Sequence, residues 1–311
     1  MPDLTIRPMA PHEIRVALRL ALSVPGQRPS EIEEQVTSFL RYTEALRLDA
    51  MCGWFAQSGS RIVSTCVCVP SAGRTSMMLL PRNTEAGHES EAIHRLIDEA
   101  IATESARQTC LLQCLLDPGD AGNLIKLQEM GFIDVAELVY MEKWLLPHAL
   151  EVEDDAGRWL TYDSRSHDAF AKTIAESYVA TQDCQARRGL REIDDIIAGH
   201  QAAGLFSPQR WLMRYDRDEA QGCILLNENP LHPTLEVAYV GVRPAHRRRG
   251  VGAALMSRAM ALAASERFER MTLAVDEKNG PAISLYEKLG YQRLTRRRAL
   301  VFPLSSNPSQ P

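Results

Sequence analysis

Basic charge is in short supply in this sequence. Lys and Arg number 35 against 40 Asp and Glu, a net charge of -5, which excludes a general attraction to nucleic acid and makes any anion site a local feature. Long apolar runs are missing too. None approaches the ~20 residues that span a bilayer, and the start, MPDLTIRP, lacks the basic-then-apolar layout of a signal peptide. A cytoplasmic protein with no membrane partner is expected. The seven cysteines are odd in number and scattered through apolar segments, unlike a disulfide framework. Cys66 and Cys68 stand two apart and Cys110 and Cys114 four apart, with no Cys/His cluster to complete a zinc site, so structural thiols and no metal are expected. A GxxxxGK[ST] loop is absent, as is a GxGxxG fingerprint near the start of a doubly wound sheet, which argues against P-loop and dinucleotide sites.

What is present suits a globular chain with two cores: 311 residues, 45% hydrophobic and 24% charged. In the first half, LTIRPM reads as a strand, HEIRVALRLAL and Ser30 to Arg47 as helices, and MCGWFAQ, RIVSTCVCV and SMMLL as strands. Ser90 to Ser105 (helix), LLQCLL (strand), Asn123 to Met130 (helix, closed by Gly131) and VAELVYMEKWLL (strand) follow. The second half repeats this order through WLTY, HDAFAKTIAESYV, a less patterned stretch to Gly204, WLMRYD, GCILLN, LEVAYVGV, an Ala-rich helix, MTLAV, AISLYEKL and RRALVF. Pro81 and Pro244, and Gly87 and Gly250, lie 163 positions apart; Asp117 and Asp276, and Gly131 and Gly290, lie 159 apart. One four-residue length difference reconciles the two offsets. The fold class is therefore α/β (α+β), in two tandem domains, 1-147 and 158-304. An acidic linker, 148-157, joins them, and 305-311 forms a disordered tail.

The stretch EVAYVGVRPAHRRRGVGAALM, Glu236 to Met256, organises the second copy. Val237 to Val242 reads as a buried strand in which Gly241 marks a bulge or a close backbone approach. From Val251 the apolar residues recur at helical spacing. Between them Arg247, Arg248, Arg249, Gly250, Val251 and Gly252 place cations and uncrowded amides at a helix N-terminus, which is an anion site.

This turn, with a strand before it and a helix after it, fits the [Q/R]-x-x-G-x-[G/A] motif and resembles the GNAT (GCN5-related) N-acetyltransferase family. DEKNGPAISLYEKLGY strengthens the resemblance, with an Asn before a helix that carries a central Tyr and ends in Gly-Tyr. The resemblance implies, for each domain, a mixed, mostly antiparallel sheet flanked by helices, and an acyltransferase that moves the acetyl group of acetyl-CoA to a primary amine in a ternary complex. It implies that the backbone at Val240 and Val242 pairs with the pantetheine arm and that residues 247 to 252 cradle the pyrophosphate. Asn279 would bond the CoA arm or simply cap its helix. Tyr286 would protonate the departing thiolate; because Ala282, Tyr286 and Leu289 share a helical face, a packing role is also open. A protonated amine needs a base before it can attack a thioester, and Glu236, at the start of the strand, is the leading candidate over His232 and His246. An N-H near Gly241, at Val242, would meet the developing oxyanion. A covalent route through Cys223 lacks an assigned base.

In the first copy the turn reads Thr84 to Glu89, with acid in place of base, and Leu127 matches Tyr286. That copy is expected to be a degenerate member of the family. The acceptor, a small molecule or peptide amine, would be recognised by Thr181 to Trp211, where Asp194 and Asp195 could draw a cation, although such a pair more often forms a solvated helix face. Arg293, Arg296, Arg297 and Arg298 lie on a predicted strand pair without the aromatics of a nucleic-acid surface. The protein is expected to be a monomer or homodimer. An acyl-CoA-binding regulatory module without turnover is the rival reading.

Overall fold

A computed structural model describes residues 4–48, 50–82, 89–145, 157–184 and 189–304. The first half forms β1 (Leu4–Pro8), α1 (Ile14–Leu22), α2 (Pro29–Ala45), β2 (Cys52–Ser58), β3 (Arg61–Ser71), β4 (Thr75–Leu79), α3 (Glu89–Ala106), β5 (Leu111–Leu116), α4 (Ala121–Glu129) and β6 (Ile133–Trp144). The second forms β7 (Arg158–Thr161), α5 (His167–Ser177), α6 (Ile193–Gln201), β8 (Leu205–Asp216), β9 (Glu219–Glu228), β10 (Thr234–Val242), α7 (Val251–Ser265), β11 (Arg270–Asp276), α8 (Gly280–Lys288) and β12 (Gln292–Pro303). Both halves thus run strand, two helices, three strands, helix, strand, helix, strand. Helix α6 lies in the less patterned stretch, at the Asp194–Asp195 pair that suits a solvated helix face. Its Ile193, Ile196 and Ile197 have helical spacing, and Asp194 and Asp195 sit in its first turn, where a helix favours negative charge.

Two compact units result, and they do not divide where the repeat does. One comprises residues up to Ala136 together with those from Arg297 onward; the other runs from Glu137 to Arg296. Within the first unit the strand order is β1-β2-β3-β4-β5-β12, antiparallel except for the parallel pair β4 and β5. Here Arg298 to Pro303 lies opposite Leu116 to Leu111. Within the second the order is β6-β11-β10-β9-β8-β7, with β10 and β11 the parallel pair and Leu138 to Trp144 opposite Asp276 to Arg270. Each unit therefore takes its closing strand from the other half of the chain. The expected boundary at 147 and 158 follows the sequence repeat, whereas compactness follows strand pairing. The acidic linker, except Gly157, and the tail at 305–311 lie outside the described residues.

In the second unit the sheet is the middle layer. Leu235, Val237, Leu255, Ala259, Leu273 and Ile283 pack one face against α7 and α8, while Phe170, Ile174, Ile197, Trp211 and Leu225 pack the other against α5 and α6. Leu255 is fully buried, so truncation to Ala should cost about 2–5 kcal/mol. The four arginines of β12 all have acidic partners: Arg293 meets Glu287, Arg296 meets Glu137 and Glu277, Arg297 meets Asp117 and Arg298 meets Asp134. None of the seven cysteines is in a disulfide, and five are buried. Among the described residues no helix is long and apolar enough to cross a membrane.

Candidate active site

The site starts from a fault in β10. Its parallel pairing with β11 covers only Thr234 to Val237 against Arg270 to Leu273. Its antiparallel register with β9 then slips between Val237 and Tyr239, where Ala238 is the extra residue. β11 continues beside β6 to Asp276, so the two parallel strands part after Val237. A split opens, and the β10 edge from residue 238 to 242 has no strand partner on that side among the described residues. The bulge lies three residues before Gly241, where the sequence suggested an irregularity. Gly241 serves close approach instead: a Cβ there would stand 2.5 Å from the Tyr239 Oη and 2.6 Å from the Ser177 Oγ. The bulge also resets the alternation of side chains. Leu235, Val237, Val240 and Val242 pack toward α7 and α8, which leaves Glu236 and Tyr239 on the opposite face. Val240 and Val242 can therefore offer a ligand only their main chain.

At the far end of the strand the chain turns through Pro244–His246 and enters α7. Arg248 has φ +58 and Gly250, the N-cap, φ +81. The first main-chain bond of the helix is from Ala254 N-H to the Gly250 carbonyl, 3.0 Å. Among the described residues the N-H groups of 248 to 253 have no main-chain acceptor, which leaves a concave set of donors at a positive helix end. Arg248 and Arg249 are exposed beside it. Val251 is buried and contributes only its amide. A Cβ on Gly252 would come 3.4 Å from the Leu285 side chain, so α7 begins close against α8. Arg247 differs from its neighbours, because its guanidinium donates to the carbonyls of Val242, Ser177, Val179 and Ala180 at 2.7–3.1 Å.

At the forked end, Glu236 is half-buried, has no ion pair among the described residues, and has its carboxyl lifted above the ordinary range by burial. Tyr286 on α8 is 5% exposed, and its hydroxyl makes no hydrogen bond to the described residues. Burial, helped by the charge of Asp183, holds that phenol well above its ordinary value. It stays protonated at any physiological pH. Asn279 accepts the Ala282 N-H at 3.4 Å and so caps α8. His246 is buried against Glu219 at 3.2 Å, and His232 is exposed. Cys223 is fully buried, its thiol pushed up to about 12, which leaves almost no thiolate near neutrality. Asp194 bonds His167, which bonds the Tyr162 hydroxyl; this ties α6 to α5. No three His, Cys, Asp or Glu side chains among the described residues could hold a metal ion.

Four further residues converge here that sequence reasoning left unassigned. The hydroxyls of Tyr239 and Ser177 are hydrogen-bonded, and Ser177 donates to the Ile174 carbonyl. Asp183 accepts the Asp276 N-H at 3.2 Å, while Asp276, itself buried, accepts the Cys184 N-H at 3.1 Å. Only Asp276 had a signal, its match with Asp117 in the repeat.

A family model described as Acetyltransferase (GNAT) family matches residues 171–291, the span that contains the forked strands, the Arg/Gly turn and α8. Residues 171–291 are thus similar to the GNAT acetyltransferase family. It is 25% identical over 269 residues to a mycothiol acetyltransferase of Kocuria rhizophila, covering 76% of this chain and 80% of the relative. A mycothiol acetyltransferase of Beutenbergia cavernae is 25% identical over 233 residues, 67% and 71% of the two chains. A GCN5-related N-acetyltransferase structure from Sphaerobacter thermophilus aligns over 100% of this chain and 99% of its own, with TM-score 0.65 and 16% identity. A tandem GNAT protein from the clavulanic acid biosynthesis pathway aligns over 98% and 100%, with TM-score 0.53 and 16% identity. Those likenesses show the fold, and the second shares the doubled plan. The family's co-substrate is acetyl-CoA, and the open strand edge, the unpaired amides and the exposed Arg248 and Arg249 of this GNAT domain fit such a group.

Proposed function

We propose that the second unit transfers acetyl from acetyl-CoA directly to a primary amine in a ternary complex, with Glu236 as base and Tyr286 as acid. The carrying observation is one strand with a fork at one end and a donor-rich helix start at the other. From Glu236 to Val242 it spans about 20 Å at ~3.3 Å per residue. Acetyl-CoA supplies an activated acyl group. The backbone edge of residues 238 to 242 would align the arm, and the amides of 248 to 253 with Arg248 and Arg249 would bind the phosphates. Glu236, a stronger base than an exposed carboxylate, takes the proton of the amine. Tyr286, proton-loaded and without a competing partner, delivers one to the thiolate sulfur. The state of Cys223 favours this direct route over a covalent one.

The first unit is proposed to be degenerate. Asn123, at the position matched by Ala282, donates to the Pro81 carbonyl at 2.8 Å and to Asp120 at 2.9 Å, joining α4 to the end of β4 where the second unit has a split. Leu127, in place of Tyr286, is fully buried. The turn at Thr84 to Glu89 lies outside the described residues.

The acceptor is proposed to be a small-molecule amine, in keeping with the names of the two relatives. Acetyl-CoA consumption over a panel of small-molecule and peptide amines, glucosamine among them, with free thiol as readout, tests the reading. Turnover with at least one amine is expected. Coenzyme A binding with silence across the panel would support the binding-module alternative instead.

A further inference from the structure

Arg247 opens the Arg/Gly motif, yet its donors go elsewhere. Four carbonyls take its guanidinium, three of them from the end of α5 and the residues after it: Ser177, Val179 and Ala180. The fourth, Val242, closes β10. The segment that leaves α5 is thereby fastened to the β10 side of the split. Four residues later it is fastened to the β11 side, where Cys184 donates to Asp276 and Asp276 donates to Asp183. Residues 177 to 184 thus form a strap whose two ends are tied to the two strands that part.

Backbone conformation agrees. Ala180 and Cys184 both lie in the left-handed region, with φ +51 and +42, a conformation unfavourable for a non-glycine residue that persists only where surroundings impose it. Each sits at a tie, Ala180 under Arg247 and Cys184 under Asp276. The strap also reaches the reacting end, since Asp183 is close enough to act electrostatically on Tyr286 and Tyr239.

We infer that Arg247 is a positioning residue for the acceptor side of the reaction: it seats the strap 177–184 across the mouth of the split, and the cofactor phosphates are left to Arg248, Arg249 and the helix amides. This rests on the acetyl-transfer reading above. A guanidinium fork can hold several carbonyls at once, whereas an ammonium is a point donor. Lysine should therefore fail to replace it here, although it would serve a phosphate.

The test uses the full-length protein. Arg247→Met and Arg247→Lys are compared with a paired Arg248→Ala, Arg249→Ala variant, with coenzyme A as binding probe and the best amine of the panel as acceptor. Both Arg247 variants should bind coenzyme A within about threefold of the parent and raise KM for the amine about tenfold or more. KM for acetyl-CoA should stay within about threefold; a mere loss of folded protein would lower kcat and leave both KM values in place. Amide hydrogen exchange over 178 to 184 should quicken about tenfold or more in them and not in the paired variant, which should instead lose coenzyme A affinity about tenfold. Loss of coenzyme A by Arg247→Met equal to that of the paired variant, or full rescue by Arg247→Lys, would overturn the inference. Should Arg247→Met not fold, Arg247→Lys carries the comparison. If no amine is turned over, the transfer reading fails on its own. The role of Arg247 is then decided by exchange and coenzyme A binding, with unchanged exchange in the strap counting against it.

Discussion

Burial moves Glu236 and Tyr286 the same way but bears differently on the two proposed roles. A phenol pushed up keeps its proton at physiological pH yet gives it up less readily, while a carboxyl pushed up becomes a better base over a narrower pH range. Tyr286→Phe should lower kcat by about 10²–10³ with little change in coenzyme A affinity, measured by steady-state kinetics beside titration calorimetry. For Glu236→Gln, a comparable loss in kcat/KM is expected, together with loss of the acidic limb of its pH profile. In the parent that limb should lie above the usual carboxylate value of about 4.3. The sign for stability follows from the raised carboxyl. Its contribution is full below the unfolded-state value and lost as pH rises through the folded-state one. Glu236→Gln should therefore melt higher than the parent at pH 7, with the gap closing in acid; an equal gap at both pH values would show that Glu236 is not desolvated. These two proposed residues stand beside motifs recognisable in the sequence. Tyr239, Ser177 and Asp183 do not, because their partners are brought together across 62 or 93 positions of chain, and no local pattern encodes such a meeting.

Among the elements, β10 carries the geometry and its two glycines do different work. At Gly241 an added methyl collides with the Tyr239 ring and Ser177, so Gly241→Ala should cost about 1–3 kcal/mol. The cost should shrink in a Tyr239→Leu background, which a double-mutant cycle in urea would measure. At Gly250 there is open space but φ is +81, so Gly250→Ala should cost about 1–2 kcal/mol through the backbone alone. Element order, the Arg/Gly turn and the caps of α8 were legible because each depends on neighbours in sequence. The position of the bulge was not. It is set by where β11 stops matching β10, and Gly241, the visible irregularity, answers to a side chain folded back over it. Helix α6 was legible only through its Asp pair and three isoleucines, because nine residues are too short for a period to repeat.

At the scale of the whole molecule, the repeat and the compact units disagree about where the chain divides, and the disagreement can be measured. Residues 1–147 contain the first repeat entire but lack Arg298 to Pro303, which pairs with β5 in the first unit. A fragment of those residues should show no cooperative urea transition. Residues 4–136 joined by a flexible linker to 297–304 should show one, and the reverse result would mean that the closing strand is dispensable. The doubling itself was readable from the two offsets, since glycine and proline landmarks survive where the intervening sequence diverges. The exchange of closing strands was not, because β6 and β12 suit an edge of either sheet by pattern alone.

That exchange sets a timetable for birth on the ribosome. The first unit has most of its residues when Ala136 emerges, but the strand that closes it is made some 160 residues later. At ordinary rates of synthesis this is a wait of roughly ten to thirty seconds. Throughout it the edge of β5 stands open, and the nascent chain would be most exposed to chaperones, or to a second copy of itself, in that interval.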